Sequence, residues 1–399
     1  MIQTLRKCPE CRKENCVYCD VCNPKHWEKN FRKWESGDFN IDEIIKDTQL
    51  HAKKQCKIIE WIEFSNFKEI EYIADGGYGK VYKAIWKDGP IENYEPWDTI
   101  KGKWRRKANT TVAIKILKVA NGMTSLELSN EIKCNLKHNS LFINRVYGVT
   151  KEPSTQEYAV VTQFQEYGNL RDLVRKNHGQ LSWSKCINIL RTICNGLSAI
   201  HAQNYLHKDF HSGNILINRN YKTSIADFGQ CRVTEESQNK ENVIGVLPYV
   251  APEVLFGGPF TKAADVYGFG IIMWELLSGE LPFSDKKHGT QLAIEIYYSQ
   301  LRPVIPDYVP KQCEYPRYNP NLLKSEIEKE FSIEKEEEWK NQLAKLANSS
   351  MPLKKTYQSY TSKHLDFTKI LSQHLQSSKY TFDSAQQNLD LADFEPEVQ

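Results

Sequence analysis

Strand-like alternation and helical spacing divide the middle of this chain. Phe67–Val81 alternates through Ile70 and Tyr72, breaks at Asp75-Gly76-Gly77-Tyr78-Gly79 and resumes at Lys80-Val81-Tyr82, which predicts a strand, a glycine turn and a second strand. Thr111–Lys118, rich in β-branched residues, and Tyr158–Phe164 predict further strands, with a helix over Leu126–Lys137 between them. Cys186, Ile189, Leu190, Ile193, Leu197 and Ile200 then recur at helical spacing. Val266–Leu277 is an apolar run too short for a membrane span of roughly 20 residues, so a buried helix is expected there. Strands followed by helices across a polar hinge imply an α+β fold of two lobes.

The flanks read differently. Trp27 to about Asn66 is polar-rich and helical in pattern, with Asn40 expected as an N-cap, Glu43 behind it and Ile41, Ile44 and Ile45 on one side. This helical segment is expected to pack on the next domain. Lys83–Thr111 is a long polar connection with a basic cluster from Lys101 to Lys107, read as a solvated loop, with a surface for an acidic partner as the alternative. Ser325–Leu346 predicts a charged helix with a thin stripe of Ile327, Phe331, Trp339, Leu343 and Leu346. Ser349–Gln399 is rich in Ser, Gln, Lys and Asp and is expected to be largely disordered. The resulting division is 1–30, a helical linker at 31–66, a main domain at 67–310, and 311–399 as helix and tail.

Charge changes little in this picture. The net charge is +3 over 399 residues, which gives no reason to expect nucleic acid or an anionic membrane as a partner. Eleven cysteines without a secretory signal imply a reducing compartment, the cytoplasm or the nucleus. Cys8-x-x-Cys11 and Cys19-x-x-Cys22 form two thiolate knuckles able to converge on one tetrahedral zinc ion, with Cys16 and His26 as spare or alternative ligands. So small a segment cannot build an apolar core, and the metal would supply its folding energy. A protein partner is a further use for it; a nucleic-acid-binding ribbon is disfavoured by its mixed-sign surroundings.

The chemistry-bearing residues lie in order along the main domain. Gly76, Gly77 and Gly79 let a backbone lie over phosphates without Cβ obstruction. Lys115 ends a buried strand, where an ammonium needs an anionic partner. Glu131 on the following helix is the best candidate, with Glu127 the alternative. His207-Lys208-Asp209-Phe210-His211-Ser212-Gly213-Asn214 joins a carboxylate to a carboxamide, and Asp227-Phe228-Gly229 follows. Asp and Asn oxygens suit a hard divalent ion.

This ordered set resembles the eukaryotic protein kinases, most closely the tyrosine-kinase-like serine/threonine group. The fuller arrangement is similar to fungal kinases with a cysteine-pair segment ahead of the kinase domain. The resemblance covers roughly Phe67–Pro310. It implies a small, mostly antiparallel β lobe with one helix and a large helical lobe. It also implies ATP as co-substrate and Mg²⁺ (or Mn²⁺) as metal. Asp209 would be the catalytic base, Lys115 the phosphate anchor, and Asn214 and Asp227 the metal ligands. Val81 and Ala113 would roof the adenine and Leu216 would floor it, with Thr162 at the back of the pocket. The backbone of Gln163 and Gln165 would meet the adenine edge. Asp265 would anchor the catalytic loop.

Several positions depart from the family pattern. Ala74 replaces the first loop glycine, Lys208 an arginine with a bidentate fork, and His211 a lysine that contacts the γ-phosphate. Val246 stands where a threonine would bond the catalytic aspartate, and Glu253 lacks its usual arginine unless Arg317 substitutes. Thr234 and Ser237 are candidate phosphorylation sites in the activation segment. The expected function is a protein kinase acting on serine or threonine of a protein substrate; the alternative is a pseudokinase that holds nucleotide or a partner without efficient transfer.

Overall fold

Asp38, rather than Asn40, starts the first long helix. In the computed structural model its extended backbone places its carboxylate to accept the N–H groups of Asn40 and Ile41, at the head of a helix over Phe39–His51. A carboxylate there also meets the positive end of the helix dipole, whereas Asn40 already lies inside the first turn. The structure describes residues 7–14, 17–76, 79–117, 125–138, 141–177, 181–234, 243–306, 337, 340–341 and 360–365. With the short helix Asn23–Glu28 as α1, this one is α2.

Ile41, Ile44 and Ile45 of α2 are buried against Leu128 and Ile132 of helix α3 (Ser125–Lys137) and against Ile59, Val146, Val149 and Val160. Residues 31–66 also supply a two-residue strand, β1 (Glu60–Trp61). The small-lobe sheet is completed by β2 (Phe67–Gly76), β3 (Gly79–Trp86), β6 (Thr110–Leu117), β7 (Val146–Lys151) and β8 (Tyr158–Gln163). Its order is β1-β7-β8-β6-β3-β2, antiparallel except where β1 runs parallel to β7.

The connection from 87 to 109 is not a free solvated loop. It carries a small hairpin, β4 (Trp97–Asp98) with β5 (Lys103–Trp104). Trp104 stacks on Trp27 at 4.6 Å, and Trp97 stacks on His26 at 3.7 Å. Arg106, from the basic cluster, leaves solvent to pair with the Glu60 carboxylate over the face of Trp86. Aromatic area supplied by both partners explains the docking: the cysteine segment has little apolar core of its own.

The large lobe contains α4 (Leu170–Asn177), α5 (Trp183–His201), α6 (Pro252–Leu255), α7 (Lys262–Ser278) and α8 (Thr290–Tyr298). Two small antiparallel pairs join β9 (Tyr205–Leu206) to β12 (Arg232–Val233), and β10 (Ile215–Ile217) to β11 (Thr223–Ile225). All six periodic residues of α5 are buried, facing Phe269, Ile272 and Leu276 of α7. Gly268 of α7 lets the loop after β9 approach, because a Cβ there would stand 2.6 Å from Phe210 O. Among the described residues no helix is long and apolar enough to cross a membrane.

Within the tail expected to be disordered, 360–365 is folded. Lys363–Leu365 forms β14, antiparallel to β13 (Val243–Gly245). The helix expected over Ser325–Leu346 lies outside the described residues apart from 337, 340 and 341, which are helical.

Candidate active site

Asp265, buried at the head of α7, organises the loop after β9. Its carboxylate accepts the backbone N–H groups of His207 at 2.9 Å and Lys208 at 3.0 Å and meets His201 Nε2 at 2.9 Å. Those bonds hold Lys208 at φ 67, left-handed backbone that a non-glycine residue adopts only when its surroundings enforce it. The next residue, Asp209, is thereby turned into the cleft. Asn214 Nδ2 donates to Asp209 O at 2.9 Å and to Asp209 Oδ2 at 3.2 Å, so the carboxamide fixes the carboxylate.

Burial would raise the Asp209 carboxyl, but the neighbouring His211 and the hydroxyl of Ser362 outweigh it and hold the group down to about 2. It is therefore an ionised, buried carboxylate. Val246, where the resemblance implies a hydrogen-bonding threonine, is buried in the core, and Asp209 Oδ1 has no hydrogen-bond partner among the described residues. His211 Nε2 is 3.5 Å from that oxygen.

Lys115 lies on β6 opposite Val81 and Val160. Its ammonium is 2.7 Å from Asp227 Oδ2 and 3.8 Å from Glu131 Oε1. The side chain of Glu127, the alternative partner, lies outside the described residues. Burial works to lower the Lys115 ammonium, but Asp227 and Glu131 overcome it, and Asp209 adds to them, so its pKa is raised. Burial raises Glu131 despite Lys115 beside it. Asp227 sits at φ 65, and Phe228 behind it is buried against the rings of His207 and His138. That packing aims the Asp227 carboxylate at Lys115.

Ala74 pairs with Val81, and Gly76 with Gly79, around the turn of β2 and β3; Gly77 lies outside the described residues. Ala113 pairs with Thr162, which brings the roof strand to the interlobe connection, and Leu216 bridges to Asn169 below it. The Gln163 N–H is already given to Arg145 O at 2.8 Å, so its carbonyl is what it can offer an adenine edge. The Gln165 side chain turns inward to Asn144 and Ser224 and braces the connection.

Further residues of the site were missed by sequence reasoning. Ser362 Oγ donates to Asp209 Oδ2 at 2.7 Å and lies 2.9 Å from His211 Nε2. Arg171, on α4, donates to Ser212 Oγ and to Tyr360 O and lies 3.9 Å from the Glu275 carboxylate. Tyr249 OH closes this network on Glu275 at 2.6 Å. No local motif marks Ser362, Arg171, Tyr360 or Glu275; only the meeting of α4, α7, the loop after β9 and β14 does.

Thr234 donates both its N–H and its hydroxyl to Asn204 O, while Ser237 lies outside the described residues. Glu253 is exposed and forms no ion pair among the described residues; Arg317 lies outside them. The Sγ atoms of Cys8, Cys11, Cys19 and Cys22 all lie within 4.8 Å of one another. Cys8 to Cys22 is 3.9 Å and Cys11 to Cys19 is 3.5 Å, close to the ~3.8 Å edge of a tetrahedral Zn–thiolate site. Burial would raise Cys19, but the Cys22 and Val21 N–H groups and the neighbouring thiols bring it down to about 7, which suits a thiolate ligand. His26 is not part of the cluster: it bonds Glu10 at 2.9 Å and stacks on Trp97. Cys16 lies outside the described residues.

A family model for "protein tyrosine and serine/threonine kinase" matches residues 67–356. Serine/threonine-protein kinase STY46 of Arabidopsis thaliana is 29% identical over 248 residues, 60% of this chain and 39% of that protein. Serine/threonine-protein kinase STY17 of the same plant is 28% identical over 252 residues, 62% of this chain and 40% of its own length. The matched region thus spans about two-fifths of these relatives.

Proposed function

The chain belongs to the protein tyrosine and serine/threonine kinase family, and we propose that it transfers the γ-phosphate of ATP to serine or threonine hydroxyls of proteins. The observation that carries this reading is Asp209, a buried carboxylate held ionised whose Oδ2 already accepts a hydroxyl proton. Asp209 orients the acceptor hydroxyl and takes its proton as the oxygen attacks. Lys115, released from Asp227 when nucleotide enters, places its charge on the α- and β-phosphates while Glu131 steadies it. The oxygens of Asn214 and Asp227 are the hard donors that Mg²⁺ (or Mn²⁺) prefers, and these two residues would hold it. The ion, when bound, neutralises phosphate charge that develops during transfer. Asp265 keeps the loop in register throughout.

The pseudokinase alternative is weaker, because Lys115, Asp209, Asn214 and Asp227 are all present and the relatives STY46 and STY17 are named serine/threonine-protein kinases. The test is γ-phosphate incorporation into a generic protein substrate by the wild type and by Asp209→Asn. The substitution is expected to cost about 10²–10⁴-fold; equal incorporation by both proteins would defeat the enzyme reading.

For the N-terminal segment we propose a structural zinc ion on Cys8, Cys11, Cys19 and Cys22. Its role is to rigidify a platform that docks on the β4–β5 hairpin. Metal analysis should give about one ion per chain, lost on chelation together with the near-ultraviolet signal of Trp27 and Trp104.

A further inference from the structure

We infer that Ser362 is a phosphate acceptor in cis, presented to Asp209 by a strand that the chain lays in its own substrate groove. The inference rests on the kinase reading above and goes beyond it by naming an acceptor.

The hydroxyl is held by two bonds that together leave it poised for transfer. Ser362 Oγ donates its proton to Asp209 Oδ2 at 2.7 Å. His211 Nδ1 accepts the Gly213 N–H at 3.0 Å, so Nε2 carries the imidazole proton and donates it to Ser362 Oγ at 2.9 Å. The remaining lone pair of Oγ is the nucleophile. His211, at the position where the resemblance implies a γ-phosphate lysine, is here committed to the acceptor.

The strand is seated as a substrate would be. β14 pairs antiparallel with β13, with Gly245 opposite Lys363, Ile244 opposite His364 and Val243 opposite Leu365. Main-chain pairing of an extended segment with a sheet edge supplies affinity, and alternate side chains supply specificity. Two side chains anchor this segment. Tyr360 is 1% exposed, donates its hydroxyl to Pro282 O at 2.9 Å and has its carbonyl held by Arg171. Leu365 is 5% exposed in an apolar cluster with Leu247, Val250 and Leu292. A strand serving only as cover would need these anchors but would not need a hydroxyl on the catalytic carboxylate. The anchors also define what another substrate should offer: an aromatic residue two positions before the acceptor and an aliphatic one three positions after.

In the step, Ser362 Oγ attacks the γ-phosphorus of ATP and its proton passes to Asp209 Oδ2. The bond from the γ-phosphorus to the β–γ bridging oxygen breaks, and ADP leaves with that electron pair. Asp209, whose carboxyl is held low, then releases that proton to solvent, which leaves a phosphoserine of nearly two negative charges against its carboxylate. Like charges in a buried site repel, so the modified strand leaves and the groove opens to other proteins.

The test uses the full-length, phosphatase-treated protein with ATP and Mg²⁺. Site mapping should find phosphate on Ser362 at a first-order rate unchanged by dilution. A peptide with the sequence of residues 356–367 but supplied in trans should be labelled after a lag in the wild type. Ser362→Glu should remove the lag and raise the initial rate about tenfold or more, while Ser362→Ala should stay slow. Without any nucleotide, amide exchange at Ile244 and Gly245 should be faster in Ser362→Glu than in the wild type. Peptide phosphorylation with Ser362 unlabelled, or labelling that accelerates with protein concentration, overturns the inference. Loss of transfer to every acceptor would defeat the kinase reading, and this inference with it.

Discussion

Two buried charge centres lie on either side of Asp209, and solvent separates their roles. At Lys115 the ammonium, Glu131 and Asp227 side chains keep 18%, 13% and 16% of their surface. The cluster opens on the cleft, and phosphate oxygens can replace a carboxylate. At Arg171 the guanidinium keeps 7% and Glu275 none. Ser212, Tyr249 and the Tyr360 carbonyl fill that second centre. A compact ammonium suits exchange of partners, whereas a planar fork serves several fixed partners at once. The same elementary pairing thus acts as a ligand site where water can enter and as a brace where it cannot.

Breaking the sealed centre should have the largest effect on stability. Arg171→Met leaves Glu275 buried without its cation and is expected to lose about 3–5 kcal/mol in chemical denaturation. A loss no larger than that of a surface arginine would refute the bracing role. Breaking the open centre should do the reverse. Lys115→Met should lower kcat/KM by about 10²–10³, with a denaturation midpoint that moves by less than half as much as for Arg171→Met. If both variants unfold equally, the contrast fails.

A smaller effect is expected at a buried imidazole that has no ionic partner among the described residues. His138 is packed between Tyr205 and Phe228, and neither ring nitrogen finds a hydrogen-bond partner among the described residues. Burial, helped by His207, Lys57 and Lys137, lowers it to about 4. Between pH ~6.5 and 4 the unfolded chain therefore binds a proton that the folded chain refuses. This contribution is complete above pH ~6.5 and is lost as pH falls toward 4, on the order of 1 kcal/mol once solvent screening is allowed for. His138→Phe should flatten that part of the stability–pH curve, measured as Tm against pH. An unchanged slope would mean other groups govern it.

Legibility followed the range of each interaction. Lys115 was picked out because it ends a β-branched strand, and Asp209, Asn214 and Asp227 because short loops present them at fixed local spacing. The two cysteine knuckles were readable for the same reason, and the structure gathers all four thiols. Glu131 could be narrowed to one of two helix positions, and the structure brings its carboxylate to Lys115. The cap of α2 was misplaced because Asp38 and Asn40 are both good caps, and only the extended backbone at Asp38 separates them. The connection around Lys101–Lys107 read as solvated because nothing local reveals that Trp27 and Glu60 await Trp104 and Arg106.

By itself, the sequence determined the two-lobed plan and the order of the chemical groups, since periodicity and motif spacing act over a few residues at a time. Only the tertiary structure decided what meets Asp209. Ser362 lies 153 positions away in sequence, and no local preference joins a polar tail to a catalytic loop. Their meeting depends on the edge of β13, the Arg171 fork and the apolar seat of Leu365, which exist only once the large lobe has closed around them.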